Sequence, residues 1–289
     1  LACEVTLQPL RRFQLDASIL FSDILIISDL LRMELQFIEK KGPVFDAPLS
    51  SQKDLDLIGK PDGVEKLSYV FETIDLIKKE LNGKVPLIGF IGSPWTVATY
   101  LIEGNSTKKF KKVLKILKED EPFLVRLLEL ITELSINYLQ KQVSHGVDIT
   151  MIFDTWGSLL NEDEFEKFSL KYIRKIKEAL TLNNIPLIYY SRGLTNKLKY
   201  LENLNIDVLG VDSTVNIKFV KEKLGSKFSI QGNLDVDILR KDENILLQEV
   251  KRILNEFGPG SGHIFNLGTG ITPDIEPEKV KLLIDILRD

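Results

Sequence analysis

Seven short runs of β-branched and aromatic residues, separated by helix-patterned segments, constrain the fold of this chain more than any other feature. They are ILFSDIL (19–25), PLIGFIG (86–92), DITMIFD (148–154), PLIYYSR (186–192), DVLGVD (207–212), FSIQGN (228–233) and HIFNLG (263–268). Between them, Val64, Leu67, Val70, Phe71, Ile74 and Ile77 recur at helical spacing, as do Phe123, Leu127, Leu130, Ile131 and Leu134. Strands alternating with helices imply parallel β/α units, and near-continuous apolar strands imply cover on both faces. Gly or Asn often stands before a strand, as in NGKVPLI, SHGVDIT and GPGSGHI, where the preceding helix needs a stop. Pro277 suits the first turn of the last helix, and Asp163 is placed to cap the helix that begins DEFEKF.

Two α/β architectures fit this rhythm. An open doubly wound sheet would place a G-x-G-x-x-G turn after the first strand, and none is there. A (β/α)8 TIM-type barrel needs eight strands against the seven found, so the expectation is a barrel whose first strand is missing from the chain. The opening on Leu1, inside the helix-like LACEVTLQPLRRF, fits that expectation. No repeat, low-complexity tract or Pro/Ser linker divides the sequence, which predicts one barrel domain over 1–289. The long connection of about 26–85, containing MELQFIEKKGPVFDAPL, reads as an excursion over one end of the barrel.

Composition excludes several function classes. A net charge of -4 argues against a nucleic-acid surface. Cys3 is the only cysteine, and the two histidines, His145 and His263, are far apart. Neither a disulfide framework nor a zinc cluster is expected, and a reducing cytoplasm fits. Charges interrupt every apolar run well before the roughly 18 residues that would suggest a membrane span.

Chemistry in a barrel sits at the C-terminal strand ends. Those ends here carry Asp23; Ser93 and Tyr100; Asp154 and Thr155; Arg192; Asp212; Asn233 and Asp235; then Asn266 and Thr269. Both histidines fall at the opposite end and are poor catalytic candidates. Asp23 stands out, because an ionised carboxylate in an apolar strand needs compensation. Each residue also has a structural reading. Asp23 could cap a helix, although Ser28 and Asp29 are better placed. Tyr100 could be core, Thr155 a helix cap, and Arg192 the ion-pair partner of Asp212 or Asp154. Gly268, Thr269 and Gly270 could form either a carboxylate-binding nest or a tight turn.

Read in order, ACEVTLQPLRRF, DASILFSDIL, GPVF, PLIGFIGSPWTVATYLIEG, IFDTWGSLL, VDSTV, QGNLD and NLGTGITPDIEPEKV resemble the uroporphyrinogen decarboxylase family from end to end. The resemblance implies a cytoplasmic, cofactor-free and metal-free carboxy-lyase, usually homodimeric, with a tetrapyrrole substrate. Such an enzyme removes the four acetate carboxyls of uroporphyrinogen III to give coproporphyrinogen III in haem synthesis. It also implies that Asp23 is catalytic and substrate-binding, with Tyr100, Thr155 and Thr269 as further substrate contacts. Two departures stand out. Thr269 occupies the place of the family's histidine in NLG-H-G, and the family's first strand with its Arg-x-x-Gly-Arg-Tyr segment has no counterpart. The alternatives are a corrinoid or thiol methyltransferase of the same fold, which would need His and Cys around zinc, and an inactive tetrapyrrole-binding relative.

Overall fold

The computed structural model of the chain describes every residue except 40, 108, 182, 183 and 289, so Lys40 of the excursion lies outside the described residues. Its strands are β1 (Ser18–Ile19), β2 (Leu35–Ile38), β3 (Gly42–Phe45), β4 (Leu87–Gly92), β5 (Ile149–Asp154), β6 (Leu187–Ser191), β7 (Val208–Val211), β8 (Ser229–Gln231) and β9 (His263–Ile264). All but β2 and β3 join one seven-stranded sheet in the order β1-β4-β5-β6-β7-β8-β9, and every pairing in it is parallel. Each sheet strand lies within, or within one residue of, an apolar run identified in the sequence.

Helices of eight residues or more are α1 (Ala2–Arg12), α2 (Ser68–Leu81), α3 (Pro94–Glu103), α4 (Lys111–Glu119), α5 (Glu121–Ser144), α6 (Lys171–Leu180), α7 (Ile217–Leu224), α8 (Glu243–Phe257) and α9 (Pro277–Arg288). The predicted faces are the buried ones: Val70, Phe71, Ile74 and Ile77 on α2, and Phe123, Leu127, Ile131 and Leu134 on α5. Each such side chain contributes about 1.5–3 kcal/mol by leaving water. Pro277 begins α9 as expected. Asp163 is not the cap before α6. Asn161 is, accepting from the Glu164 amide while Glu164 reaches back, and that reciprocal box satisfies two end groups at once.

The run ILFSDIL is a strand for less of its length than its composition suggests. The ladder stops after Ile19, with one more bond from the Leu20 amide to Ile88 O, and the chain then turns. At Asp23 the chain closes an Asx turn, the Oδ1 accepting from the Leu25 amide two residues on at 2.6 Å. A second departure is β2 with β3, an antiparallel hairpin inside the excursion. Bonds from Phe45 N to Gly104 O and from Leu49 N to Leu101 O tie it to the C-terminal end of α3.

The sheet curls without closing. Its edge strands, β1 and β9, face one another across a cavity of about 1200 Å³ whose walls include Ile19, Phe153, Tyr190, Ile264 and Phe265. Arg288 on α9 spans this gap from outside, donating to Gln14 O and to the Asp16 carboxylate at 2.6 Å. The geometry is that of a (β/α)8 barrel lacking one strand.

Candidate active site

Strand alternation decides what reaches the interior. Ile88 and Phe90 on β4, Met151 and Phe153 on β5, and Tyr190 on β6 line the cavities inside the sheet. Asp154, one residue beyond Phe153, therefore points outward beneath the helices and is fully buried. Its two oxygens accept from Ser93 Oγ at 2.5 Å, Thr96 Oγ1 at 3.1 Å, Ser169 Oγ at 2.6 Å and Tyr189 Oη at 2.8 Å. Those hydroxyls come from the residue after β4, from α3, from the middle of β6, and from a π-helical turn (Glu166–Leu170) that leads into α6. Asp154 is thus a pin joining strands to helices. Sequence reading placed it at this end of the barrel but could not see its partners.

Thr155 follows and faces inward. Its turn is held on one side by Thr96 Oγ1, which accepts from the Trp156 amide. On the other, the Trp95 indole N–H donates to Trp156 O. The Thr155 side chain caps no helix. It is half-buried and lines both interior cavities.

Asp23 lines the smaller of these, an apolar cup of about 560 Å³ that it shares with Phe21, Ser22, Phe90, Phe153 and Thr155. Two contacts aim its loop. The Phe21 amide donates to Thr6 Oγ1 on α1 at 3.0 Å, and the Gly92 amide donates to Ile24 O at 3.2 Å. Gly92 is needed there because a Cβ would stand 2.7 Å from Ile24 O. The carboxylate is half-buried and forms no ion pair among the described residues, and the Leu25 amide is its one hydrogen-bond donor among them. Burial pushes its pKa up, the Leu25 N–H opposes this, and the nearby Asp29 charge adds to the rise. It caps no helix either, since the short helix Ile27–Leu30 has no side-chain cap.

Tyr100 stands apart from the walls of the two cavities, on α3, with its ring centroid 6.1 Å from that of Trp156. Burial is the main cause of its raised pKa. Trp156 and Ser106 as donors oppose the rise, Asp23 adds to it and Arg192 lowers it, so both charges are felt at the phenol. The Trp156 indole N–H is near enough to contribute but lies outside hydrogen-bond geometry.

Arg192 is not paired as expected. It forms no ion pair with Asp212, Asp154 or any other described residue, and it lines the large cavity with Thr155, Tyr190 and Thr269. Its neighbour Tyr190 donates from Oη to Gly268 O at 2.8 Å, fixing the loop that carries Thr269. Burial and then the Asp212 charge push the Tyr190 phenol up to about 12, with Arg192 opposing. The Gly-Thr-Gly turn is a packing device and not a nest: neither glycine takes the left-handed φ that a nest needs. A Cβ on Gly268 would lie 2.4 Å from the Ser213 amide.

The histidines do other work. His145 Nδ1 is 3.0 Å from the Asp75 carboxylate, and the His263 Nε2–H donates to Gly232 O at 2.8 Å while its ring stacks on Phe257. No group of three or more His, Cys, Asp or Glu side chains able to hold a metal ion occurs among the described residues, and no helix is long and apolar enough to cross a membrane. The structure therefore places Asp23, Thr155, Arg192 and Thr269 around two adjoining cavities that share Phe153 and Thr155 in their walls, with Tyr100 outside both.

Comparison with known proteins narrows what such a cup serves. A family model described as "Uroporphyrinogen decarboxylase (URO-D)" matches residues 1–289. A protein of that name from Ruthia magnifica subsp. Calyptogena magnifica is 44% identical over 293 residues, covering 100% of this chain and 84% of the relative. Another from Methylococcus capsulatus is 42% identical over 292 residues, with 100% and 83% covered. Among solved structures, a methyltransferase from Methanosarcina mazei superposes with a TM-score of 0.82 at 22% identity, over 99% of this chain and 83% of that one. A B12-independent methionine synthase from Shewanella sp. W3-18-1 gives 0.60 at 13% identity, over 99% of this chain and 84% of that one. At those identities the two structures speak for the fold alone.

Proposed function

Because this chain belongs to the uroporphyrinogen decarboxylase family, we propose that it removes carbon dioxide from the four acetate arms of uroporphyrinogen III, giving coproporphyrinogen III in tetrapyrrole synthesis. The observation that carries the reading is the Asp23 carboxylate: half-buried among apolar walls, without a counter-charge among the described residues, and holding one backbone donor.

The chemistry needs such a group. When an acetate on a pyrrole loses carbon dioxide, the bond's electron pair needs a sink, which protonation of the ring carbon creates by making the ring cationic; the methylene left behind then takes a proton to become the methyl, and the ring carbon gives its proton back. A preorganised anion stabilises that cation. Asp23 accepts hydrogen bonds from the pyrrole N–H groups of the folded macrocycle and offsets the charge that develops, so the guest supplies donors beyond the one the fold provides. Thr155 and Thr269 offer hydroxyls to carboxylate arms, and Tyr100 bears on the Asp23 region electrostatically from behind. The site is read within one barrel domain, in a cytoplasmic homodimer, as the family resemblance implies. The excursion 26–85 belongs to that domain.

The direct test is anaerobic incubation of the protein with uroporphyrinogen, followed by oxidation and separation of the porphyrins. Stepwise appearance of hepta- through tetracarboxylated products is expected. Unchanged octacarboxylate would sink the reading and favour a binding relative.

A further inference from the structure

A cation with five N–H donors stands one residue beyond β6 without an acceptor among the described residues, although carboxylates occupy the two neighbouring strand ends. The ladder explains the placement. Asp154 pairs with Ser191 and Ser191 with Val211, so Thr155, Arg192 and Asp212 take the next step on three adjacent strands. Alternation puts Arg192 on the face of Tyr190, toward the cavity. The obvious partners are already engaged. Four hydroxyls occupy Asp154, while Asp212 accepts from the Gly193 amide at 3.2 Å and from Thr214 Oγ1 at 3.0 and 2.9 Å. A half-buried guanidinium with no carboxylate partner among the described residues is placed to take an anion from outside.

The geometry points to Arg192 as the residue that holds a propionate carboxylate of the substrate while the acetates react, an assignment that rests on the decarboxylase reading above. The held arm is a spectator for a physical reason. A guanidinium pair stabilises the ionised carboxylate, whereas decarboxylation drains that charge into the ring, so an arm gripped by Arg192 would face a higher barrier. Only the propionates persist through all four losses, and only they offer the same handle at every turn.

The test uses Arg192→Gln and Arg192→Lys, titrated with uroporphyrin III and with coproporphyrin III, whose carboxylates are all propionates, by quenching of the intrinsic tryptophan fluorescence. Arg192→Gln is expected to weaken both porphyrins by the same factor, about tenfold or more, with partial recovery in Arg192→Lys. KM for uroporphyrinogen should rise in step, while kcat falls by less than about threefold. Weakening of uroporphyrin alone would assign Arg192 to an acetate and overturn the proposal, as would unchanged affinity for both or a parent chain that binds neither. The two readings fail separately. Binding of coproporphyrin that depends on Arg192, in a chain that releases no carbon dioxide, would reject the decarboxylase and keep the anchor. Turnover with parent KM and affinity in Arg192→Gln would do the reverse.

Discussion

Asp23 and Asp154 are carboxylates at the same end of the barrel, and their surroundings are opposite. Asp154 is fully buried beneath α3 and α6 with four hydroxyls on its two oxygens, and it serves as a joint. Asp23 is half-buried over an apolar cup with one backbone donor, and burial raises its pKa. One charge is compensated by the fold, and the other is left uncompensated by it, which is the one the proposed function pairs with substrate. Arg192 repeats the lesson with opposite sign.

The contrast can be broken at its structural pole first. Asp154→Ala removes the common acceptor of four hydroxyls and should cost about 3–5 kcal/mol of stability, read as a lower midpoint in urea with an unchanged slope. A midpoint like the parent's would mean that the network is not the joint described. Gly92→Ala attacks the other pole, since the new Cβ must displace the Ile24 carbonyl and the Asp23 loop with it. Activity should fall about tenfold to a hundredfold, with less loss of stability than in Asp154→Ala, because small misplacement near the chemistry is expensive. Parent-level turnover in that variant would show that the aim of the loop is unimportant. A smaller effect, about 1 kcal/mol, is expected from Asn161→Ala, which loses a helix cap remote from both carboxylates. Thermal melting at unchanged KM would check it.

Most of the frame was legible in the sequence, because strands covered on both faces must be apolar throughout, and seven such runs define seven strands. Reading failed where a polar group acts locally or at long range. Asp23 stands out in the sequence as an anomaly, but neither its Asx turn nor the early end of β1 at Ile19 does. The hairpin of β2 and β3 carries no Asn-Gly or Asp-Gly turn to announce it. Asp163 suits a cap by residue type, but the helix starts two residues earlier than the apolar pattern suggests, which gives the cap to Asn161. For Arg192 an ion pair with Asp212 or Asp154 is a natural structural reading, because adjacent strand ends show which carboxylates are near but not which side chains actually meet. The partners of Asp154 come from three separate stretches of chain, and the clasp of Arg288 on Asp16 joins opposite ends of it, so no local pattern encodes either.

The raised pKa of Asp23 has consequences of defined sign. In the free enzyme, the acid limb of kcat/KM should lie above that of an unperturbed aspartate, because the proposed function makes the anion the working form and burial opposes it. For folding, a carboxyl whose pKa is higher in the folded than in the unfolded chain contributes stability below its unfolded value and loses it as pH rises through the folded one. Asp23→Asn, uncharged throughout, escapes that loss and should melt no lower than the parent at neutral pH.

Turnover of uroporphyrinogen by Asp23→Asn at neutral pH, in a preparation shown by melting to be folded, is the most direct measurement. The account predicts a fall in kcat of about 100-fold or more, comparable with the loss of a transition-state hydrogen-bond donor. Turnover at the parent rate would contradict it.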